Sequence, residues 1–514
     1  MSDLQFQQLS SAEHFRRNWQ LAGLDNPEKA GYTTIRELVE NALDGCELIP
    51  NHIPNISIYI DDMQMYYKIV VTDNGYGIPH KEIPNAFAQI FYGSKFEVRQ
   101  QRGTIGAGGK LVCMHGYVST TKPYRIVSAM PNSKYIHAYD LGIDLNKNEP
   151  ITYNHITREN TDNWHGTLVR VYSKINLKKL NKIIRYLRLT TIAMPYVSIK
   201  LVVNKQIMFE HKGNRNVPIP ERAEKVRLHP HGVDTHDVQK MIEEEIEKHG
   251  KTGNSNLALQ QFLMKKFQRI GMKTSTEFLK FADLNKNKKI TDLNHAELMK
   301  FVDKLNEYND FIPPTTDCLS LLTKENITAG LKEMFNPDCI IYTDRKGVYS
   351  GHGFVVEIAI ALGGKIKPPK RDYGFHVLRF ANKMPLLYDQ MACALYKNVI
   401  ETNFKRYDIE SNTQMTFIIH FCSTKVPYKT EGKEYVSADY PEINKAISLA
   451  MNEALRKVRV YLSQKRRADF DATRRNIFAM YAPVIVDNLS NLSKEDKSNI
   501  EVMVNRMLNL QKYN

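Results

Sequence analysis

The sequence has few cysteines and no long apolar run, and each absence excludes a class of protein. Six cysteines are spread over 514 residues without a CxxC pair, so a disulfide framework and a zinc site are both poor candidates. No run of about 18 apolar residues is present, so no membrane-spanning helix is predicted. The first residues lack the basic start and apolar stretch of a secretory signal. We therefore expect an intracellular protein in a reducing compartment.

Acidic residues are also in the minority. Lys and Arg number 71 against 56 Asp and Glu, which gives a net charge of +15 and a pI near 9.2. Such a surplus suggests a polyanionic partner, nucleic acid first and an acidic membrane second, but it does not bear on fold. The 42% hydrophobic and 25% charged residues exclude a disordered or fibrous chain.

The pattern of apolar residues divides the chain into four segments. Residues 1–225 mix helical and strand-like patterns, which predicts an α+β sandwich with helices on one face of a sheet. A stretch rich in Pro, Gly and basic residues marks its end, and 226–308 is charged and helical with short turns. Residues 309–465 form a second α+β segment, and 466–514 form a basic helical tail. We predict a multidomain α+β protein.

Glu37 and Asn41 lie four residues apart in a predicted helix and therefore share a face. A carboxylate there can activate a water molecule, and an amide oxygen can hold Mg²⁺ beside a phosphate. Taken alone, such a pair is more often part of a solvated helix face.

A second motif, Asp73-Asn74-Gly75-Tyr76-Gly77, follows a predicted buried strand. A carboxylate fixed at this point can accept a hydrogen bond from an adenine amino group, and glycines let the backbone approach the base. The alternative is an ordinary tight turn.

A third motif is a glycine-rich turn that opens a predicted helix. Its members are Gly103, Gly106, Ala107, Gly108, Gly109 and Lys110. Such a turn can present several N–H groups to a phosphate chain, and the lysine adds a positive charge. It is not a P-loop, because Leu111 stands where Ser or Thr is required. A lone glycine-rich loop is more often a flexible connection.

The order of these motifs, completed by His165-Gly166-Thr167 before a strand, resembles that of the GHKL (Bergerat) ATPases. This superfamily includes gyrase-type topoisomerases, MutL, one class of heat-shock chaperones and sensor histidine kinases. The resemblance implies that Glu37 is the general base of ATP hydrolysis, that Asn41 coordinates Mg²⁺ and that Asp73 recognises adenine. It also implies further nucleotide contacts by Gly75, Gly77, Ser94, Lys95, Thr167 and the third motif.

Longer blocks resemble the B subunits of DNA topoisomerase VI, the type IIB topoisomerases. They occur in the family's order over nearly the whole chain, at 11–47, 91–110, 228–234, 318–331, 353–364, 378–400 and 423–434. The resemblance implies a GHKL ATP-binding domain with an N-terminal strap, a helix–two-turn–helix domain, and a transducer domain that ends in a long helix. It implies ATP-driven dimerisation that gates the passage of one DNA duplex through a break in another, which relaxes supercoils and decatenates DNA.

The same resemblance implies the partners. A separate A-type subunit would supply the DNA-cleaving tyrosine within an A2B2 heterotetramer, and double-stranded DNA would be the substrate. The acidic doublet Asp469 and Asp471 lies in a predicted helix, where residues two apart point in different directions, so we expect no metal-dependent cleavage centre there. The compartment would be the nucleoid-containing cytoplasm of an archaeon or the nucleus of a eukaryote.

In related ATPases a transducer lysine contacts the γ-phosphate, and the candidates here are Lys433 and Lys429. We favour Lys433, because a glycine precedes it and suits a switch that must engage and release. Two basic segments, 212–218 and 404–407, resemble DNA-contacting segments of the family, although Phe404 stands where the family has Trp.

Other interpretations remain open from sequence alone. A MutL-like clamp or a chaperone shares the three motifs but not the helical insert, and a histidine kinase would need an acceptor hairpin ahead of the ATP region. A B-type scaffold without catalytic activity is disfavoured by the intact motif residues.

Overall fold

The computed structural model describes residues 8–93, 97–103, 106–178, 180–248, 257–429 and 432–510. The first part of the chain builds one sheet and its covering helices. Its elements are α1 (Ser11–Arg17), α2 (Trp19–Ala22), α3 (Pro27–Cys46), β1 (Asn55–Asp62), β2 (Tyr67–Thr72), α4 (Ile83–Ala88), α5 (Gly108–Thr120), β3 (Tyr124–Ala129), β4 (Tyr135–Asp144), β5 (Glu149–Glu159), β6 (Gly166–Ser173), α6 (Leu180–Ala193), β7 (Ser198–Val203) and β8 (Gln206–Lys212).

The eight strands of this sheet run in the order β5-β4-β3-β6-β2-β1-β7-β8. All neighbours are antiparallel except β1 and β7, which are parallel. In β1 the alternate residues Ile56, Ile58 and Ile60 are fully buried, as expected for a strand with one face on the core. The helices α3, α5 and α6 pack against this sheet, so the predicted α/β sandwich is present.

A small helical unit follows, with a core of its own. It contains α7 (Thr235–Lys248), α8 (Leu259–Lys266), α9 (Met272–Phe281) and α10 (His295–Glu307). The side chains of Phe262, Phe278 and Phe301 are fully buried at its centre.

A second sheet forms the third part of the chain. Its elements are α11 (Lys324–Phe335), β9 (Cys339–Tyr349), β10 (His352–Leu362), β11 (His376–Ala381), β12 (Met384–Pro385), α12 (Ala394–Ile400), β13 (Met415–Ser423), α13 (Pro441–Ser493) and α14 (Lys497–Leu510). The strand order is β12-β11-β13-β10-β9. Both β10 and β13 are buried along their whole length, because one face packs on α13 and the other on the first part of the chain. The predicted multidomain α+β fold is confirmed.

The helix α13 is 53 residues long, which corresponds to about 80 Å. Its first half packs on the second sheet through Ile443, Ile447 and Val458, whereas no residue from 459 to 481 is buried. The division expected at 465/466 falls inside this helix, so the basic tail begins as a continuation of it. Among the described residues, no helix has the length and hydropathy needed to cross a membrane.

Candidate functional site

The helix α3 carries the first predicted motif in its buried middle. Pro27 occupies its first turn, and the Asn26 side chain caps it by accepting hydrogen bonds from the backbone N–H groups of Glu28 and Lys29. Glu37, Asn41 and Gly45 then follow at intervals of four residues. They therefore lie along one face of the helix, about 6 Å apart in rise.

The start of α5 lies directly against this face. A β-carbon on Gly108 would come within 1.8 Å of Glu37 Oε2, and one on Gly109 within 2.4 Å of Asn41 Nδ2. A larger residue at either position would displace the facing side chain, so glycine suits this close approach. It brings the N-terminus of α5, where unpaired N–H groups and the positive end of the helix dipole favour anions, beside the carboxylate and the amide.

The turn that follows β2 packs one helical turn further along α3. The backbone N–H of Tyr76 donates to the Gly45 carbonyl at 3.0 Å, and a β-carbon on Gly75 would come within 2.6 Å of the Gly45 carbonyl carbon. The structure therefore brings all three sequence motifs together along one face of α3.

Asp73 is held rigidly at this end of the site. Its Oδ1 accepts hydrogen bonds from the backbone N–H groups of Gly75 at 2.8 Å and Thr167 at 3.1 Å. Among the described residues, none donates a hydrogen bond to Oδ2. Burial raises the pKa of Asp73 to about 7, although the two N–H groups oppose that shift. Gly77 has φ 72°, and a β-carbon there would come within 2.1 Å of the Ala129 carbonyl oxygen.

Charged side chains outside the three sequence motifs surround Glu37. Nη2 of Arg36 donates to Glu37 Oε1 at 2.7 Å, and Nη1 donates to the Gly432 carbonyl at 2.8 Å. Lys433 Nζ lies 3.4 Å from both Glu37 Oε1 and Glu40 Oε2. Burial raises the pKa of Glu40 to about 7, against the opposing effect of Lys433. Burial alone would lower the pKa of Lys433, but Glu37 and Glu40 raise it above the ordinary value.

Of the two candidate lysines, only Lys433 lies at this site. Its φ is 52°, a left-handed backbone conformation that a non-glycine residue adopts at a cost and that is typical of functional positions. Lys429 instead pairs with Asp439 at 2.6 Å on the surface.

The glycine-rich loop closes the site from the other side. A narrow cavity is lined by Gly103, Gly106, Ala107, Gly108, Glu37, Glu40, Asn41 and Lys433, among others. Lys110 Nζ donates to the carbonyl oxygens of Tyr92 and Gly106, at 2.8 Å for Gly106, so its ammonium group braces the loop. The predicted contacts Ser94 and Lys95 lie outside the described residues.

Arg36 and Glu40 belong to none of the three sequence motifs, but the sequence still indicates that they need partners. The helix α3 has fourteen buried residues, yet it carries Arg36, Glu37 and Glu40 among them. Three charges within five residues of an otherwise buried helix must be paired with one another or with a ligand. Their partners include Gly432 and Lys433, almost 400 residues later in the chain. The spacing of apolar residues gives no information on contacts over such a sequence distance.

The two candidate DNA segments have different surroundings. In 212–218, Lys212 and Arg215 are exposed. In Phe404–Tyr407 both aromatic side chains are buried, whereas Lys405 and Arg406 are exposed. Phe404 stacks on Tyr373 within the second sheet's core at a centroid distance of 5.7 Å, so it is not available to stack on a base.

Comparisons with known proteins identify relatives of this chain. Residues 32–167 match the family model of the histidine kinase-, DNA gyrase B- and HSP90-like ATPases, and residues 314–474 match that of the topoisomerase VI B subunit transducer. The B subunit of type 2 DNA topoisomerase 6 from Saccharolobus shibatae is 38% identical over 497 residues, covering 94% of this chain and 90% of the relative. Its counterpart from Saccharolobus solfataricus is 37% identical with the same coverage.

Among solved structures, the Aquifex aeolicus MutL ATPase domain complexed with ADP matches at a TM-score of 0.30 and 9% identity, over 76% of this chain and 90% of that chain. So low a score supports no statement about this protein.

Proposed function

The chain belongs to the family of type 2 DNA topoisomerase 6 B subunits and is an ATP-driven topoisomerase subunit, and on that premise we propose how its residues act. The observation that carries the proposal is the alignment of Glu37, Asn41 and the Asp73 turn along one face of α3, with the start of α5 against the first two. Such a site fits a ligand with an amino donor at one end and a phosphate chain at the other.

At the adenine end of the site, Asp73 accepts a hydrogen bond from the adenine amino group through Oδ2, because Oδ1 already accepts hydrogen bonds from two backbone N–H groups. The backbone of Thr167 holds the carboxylate in place, and the glycines at 75 and 77 keep the turn close to α3 and to the neighbouring strand. Buried groups of fixed direction are what make such recognition specific.

At the phosphate end, Glu37 accepts a proton from the attacking water. Its carboxylate touches the start of α5, whose N–H groups stabilise charge on the phosphate oxygens. Lys433 lies within reach of the same region and contacts the γ-phosphate. Glu37 and Lys433 are thus the proposed catalytic pair.

Asn41 is the proposed protein ligand of the Mg²⁺ that accompanies the triphosphate. Its amide nitrogen Nδ2 lies against Gly109, where a β-carbon would come within 2.4 Å of it, so Oδ1 is the atom that would hold the ion. Mg²⁺ is usually held by one or two protein oxygens together with phosphate oxygens and waters, so one amide fits this role. Bound there, the ion would neutralise phosphate charge.

Membership of the family supports a proposal for the wider assembly. Two copies of this chain dimerise on ATP binding within an A2B2 heterotetramer, and a separate A-type subunit cuts DNA. ATP drives closure only to the extent that it binds the closed dimer better than the open one. Hydrolysis then removes that preference, and the cycle relaxes supercoils and decatenates DNA. We propose domain divisions near 225/226 and 308/309, on either side of the helical unit with its own core.

Turnover of ATP in the Glu37→Ala variant tests the proposed site. We expect retained ATP binding and a loss of turnover of about 100-fold or more, whereas Glu149→Ala, an exposed acid on β5, should behave as wild type. Wild-type hydrolysis by Glu37→Ala would refute the assignment. A purified wild-type chain that binds no adenine nucleotide would instead favour a non-catalytic scaffold.

A further inference from the structure

Three residues, Gln100 to Arg102, stand directly before the glycine-rich loop, and we call them the lid stem. Gln100 and Ser320 form a reciprocal pair across 220 residues of sequence. Gln100 Nε2 donates to the Ser320 carbonyl at 2.9 Å, and the Ser320 N–H donates to Gln100 Oε1 at 2.6 Å. Both residues are buried. The lid stem is therefore fixed to the segment that leads into α11.

The second residue of the lid stem binds the turn between β11 and β12. Asn382 Nδ2 donates to the Gln101 carbonyl at 2.8 Å and also to the Ser423 carbonyl at 3.0 Å. Its Oδ1 accepts from the Ser423 N–H at 3.0 Å. One amide thus joins the lid stem, the turn and the end of β13.

The third residue binds the C-terminal end of α3. Arg102 donates to Asp44 Oδ1 and to Glu47 Oε1, each at 2.7 Å. Lys383, in the same turn as Asn382, lies 3.4 Å from Glu47 Oε1 and 2.6 Å from Ser320 Oγ. Burial would raise the pKa of Glu47, but Arg102 and Lys383 together hold it below the ordinary value.

The contacts continue into the core of the second sheet. The Lys383 N–H donates to His420 Nε2 at 3.0 Å, and His420 Nδ1 lies 2.7 Å from Glu357 Oε2. Glu357 also accepts the N–H groups of Leu322 and Thr323, each at 2.9 Å. Both His420 and Glu357 are fully buried, so this network cannot exchange partners with water.

Asn382 and Lys383 form the two-residue loop of the hairpin that joins β11 to β12. Their φ values are 45° and 68°, the left-handed values that such a loop favours, and asparagine adopts them more readily than most residues. The hairpin therefore fixes where the Asn382 side chain stands.

From this continuous set of contacts we propose that Gln100 and Asn382 are positioning residues that couple the glycine-rich loop to the second sheet. The coupling rests on the proposed function, in which the N–H groups at the start of α5, directly after that loop, contact the ATP phosphates. Any displacement of the lid stem must then displace the turn of Asn382 and Lys383, because hydrogen bonds join them directly. This route is separate from Lys433, whose contacts lie at Glu37 and Glu40, in the middle of α3.

The test measures ATP hydrolysis and DNA strand passage separately, in the complete complex of this chain and its A-type partner. Gln100→Ala removes the reciprocal pair, and Asn382→Gly removes the amide while tolerating the positive φ. We expect both variants to hydrolyse ATP within about twofold of wild type, while DNA strand-passage events per ATP hydrolysed fall about fivefold or more. This ratio does not depend on the fraction of folded protein, so a merely structural defect would leave it unchanged.

Gln268→Ala is the matched control. Gln268 bridges two segments in the same way, donating to the Arg227 carbonyl and accepting from the Thr315 N–H, each at 3.0 Å, but it lies away from the lid stem. In Gln268→Ala, the number of strand-passage events per ATP hydrolysed should equal that of wild type. A wild-type ratio in both test variants would overturn the proposal, whereas a wild-type complex that neither hydrolyses ATP nor passes DNA would overturn the proposed function instead.

Hydrogen–deuterium exchange supplies a second readout that needs no DNA. We expect a non-hydrolysable ATP analogue to change amide protection in 382–386 and in β13 of the wild-type chain and of Lys433→Met. That change should be absent in Gln100→Ala. Its persistence in Gln100→Ala, with nucleotide bound, would equally overturn the proposed coupling.

Discussion

The Nζ atom of Lys433 lies 3.4 Å from Oε1 of Glu37, although the two residues are 396 apart in the chain. The cation proposed to contact the γ-phosphate and the carboxylate proposed to act on the water are therefore direct neighbours. Arg36 also joins these two parts of the chain, since it donates hydrogen bonds to the Glu37 carboxylate and to the carbonyl of Gly432. A shift of Gly432 and Lys433 must therefore change the electrostatic surroundings of Glu37.

Replacement of Lys433 by methionine should lower ATP turnover by about 10- to 100-fold, because the half-buried cation that we propose to contact the γ-phosphate is lost. Lys429→Met is the control, since Lys429 pairs with Asp439 on the surface. The measurement is steady-state ATP hydrolysis at saturating nucleotide. A larger loss in Lys429→Met than in Lys433→Met would reverse the assignment.

Replacement of Gly108 by alanine should displace the carboxylate of Glu37, because the new β-carbon would stand within 1.8 Å of Oε2. A misplacement of about 1 Å can cost about 100-fold in rate, and we expect a loss of that order in ATP turnover. Gly271→Ala, where no atom lies within 4 Å of the added carbon, serves as control. Full activity in Gly108→Ala would contradict the contact between α3 and α5.

Affinity for ATP should depend on pH through Asp73. Burial raises the pKa of this carboxyl to about 7, so it is protonated in slightly acidic solution and ionised above neutrality. The ionised form is the better acceptor for an adenine amino group, so affinity should rise between about pH 6 and 8. Titration of a labelled nucleotide measures this, and Asp73→Asn should bind weakly with a flatter profile. Affinity that falls as the wild-type Asp73 ionises would exclude the proposed contact.

Binding of duplex DNA should weaken steeply with salt if Lys405 and Arg406 contact phosphates. Loss of two such contacts in a Lys405→Gln, Arg406→Gln double variant should reduce the slope of log affinity against log salt by about 1.8. Lys134→Gln with Lys147→Gln, two exposed lysines at other positions, controls for overall charge. An unchanged slope in the test variant would remove these residues from the DNA interface.

Much of the site could be predicted because its chemistry is local in sequence. Glu37 and Asn41 share a helix face by spacing alone, and the close approach of α5 requires the glycines that stand at 108 and 109. The order of these motifs then identified the superfamily. The pairing of strands from both halves of the first sheet, with β1 parallel to β7, follows no local pattern and could not be predicted in this way.

The contacts that join distant parts of the chain were beyond prediction for the same reason. Nothing near Lys383 in sequence indicates that it meets Glu47, and nothing near Phe404 indicates that the second sheet's core buries it. The expected division at 465/466 falls inside α13, because the regular apolar spacing ends near Val458 while the helix continues with a mixture of exposed charged and apolar residues.

The exposed half of α13 gives the molecule a lever arm. Beyond Arg466, which donates to the Asp408 carbonyl, 27 residues lead to the end of the helix at Ser493, which is about 40 Å of rod. A tilt of about 5° at the root would move the tip by about 3 to 4 Å over that length. A small rearrangement that reached the second sheet would therefore be magnified at the far end of α13.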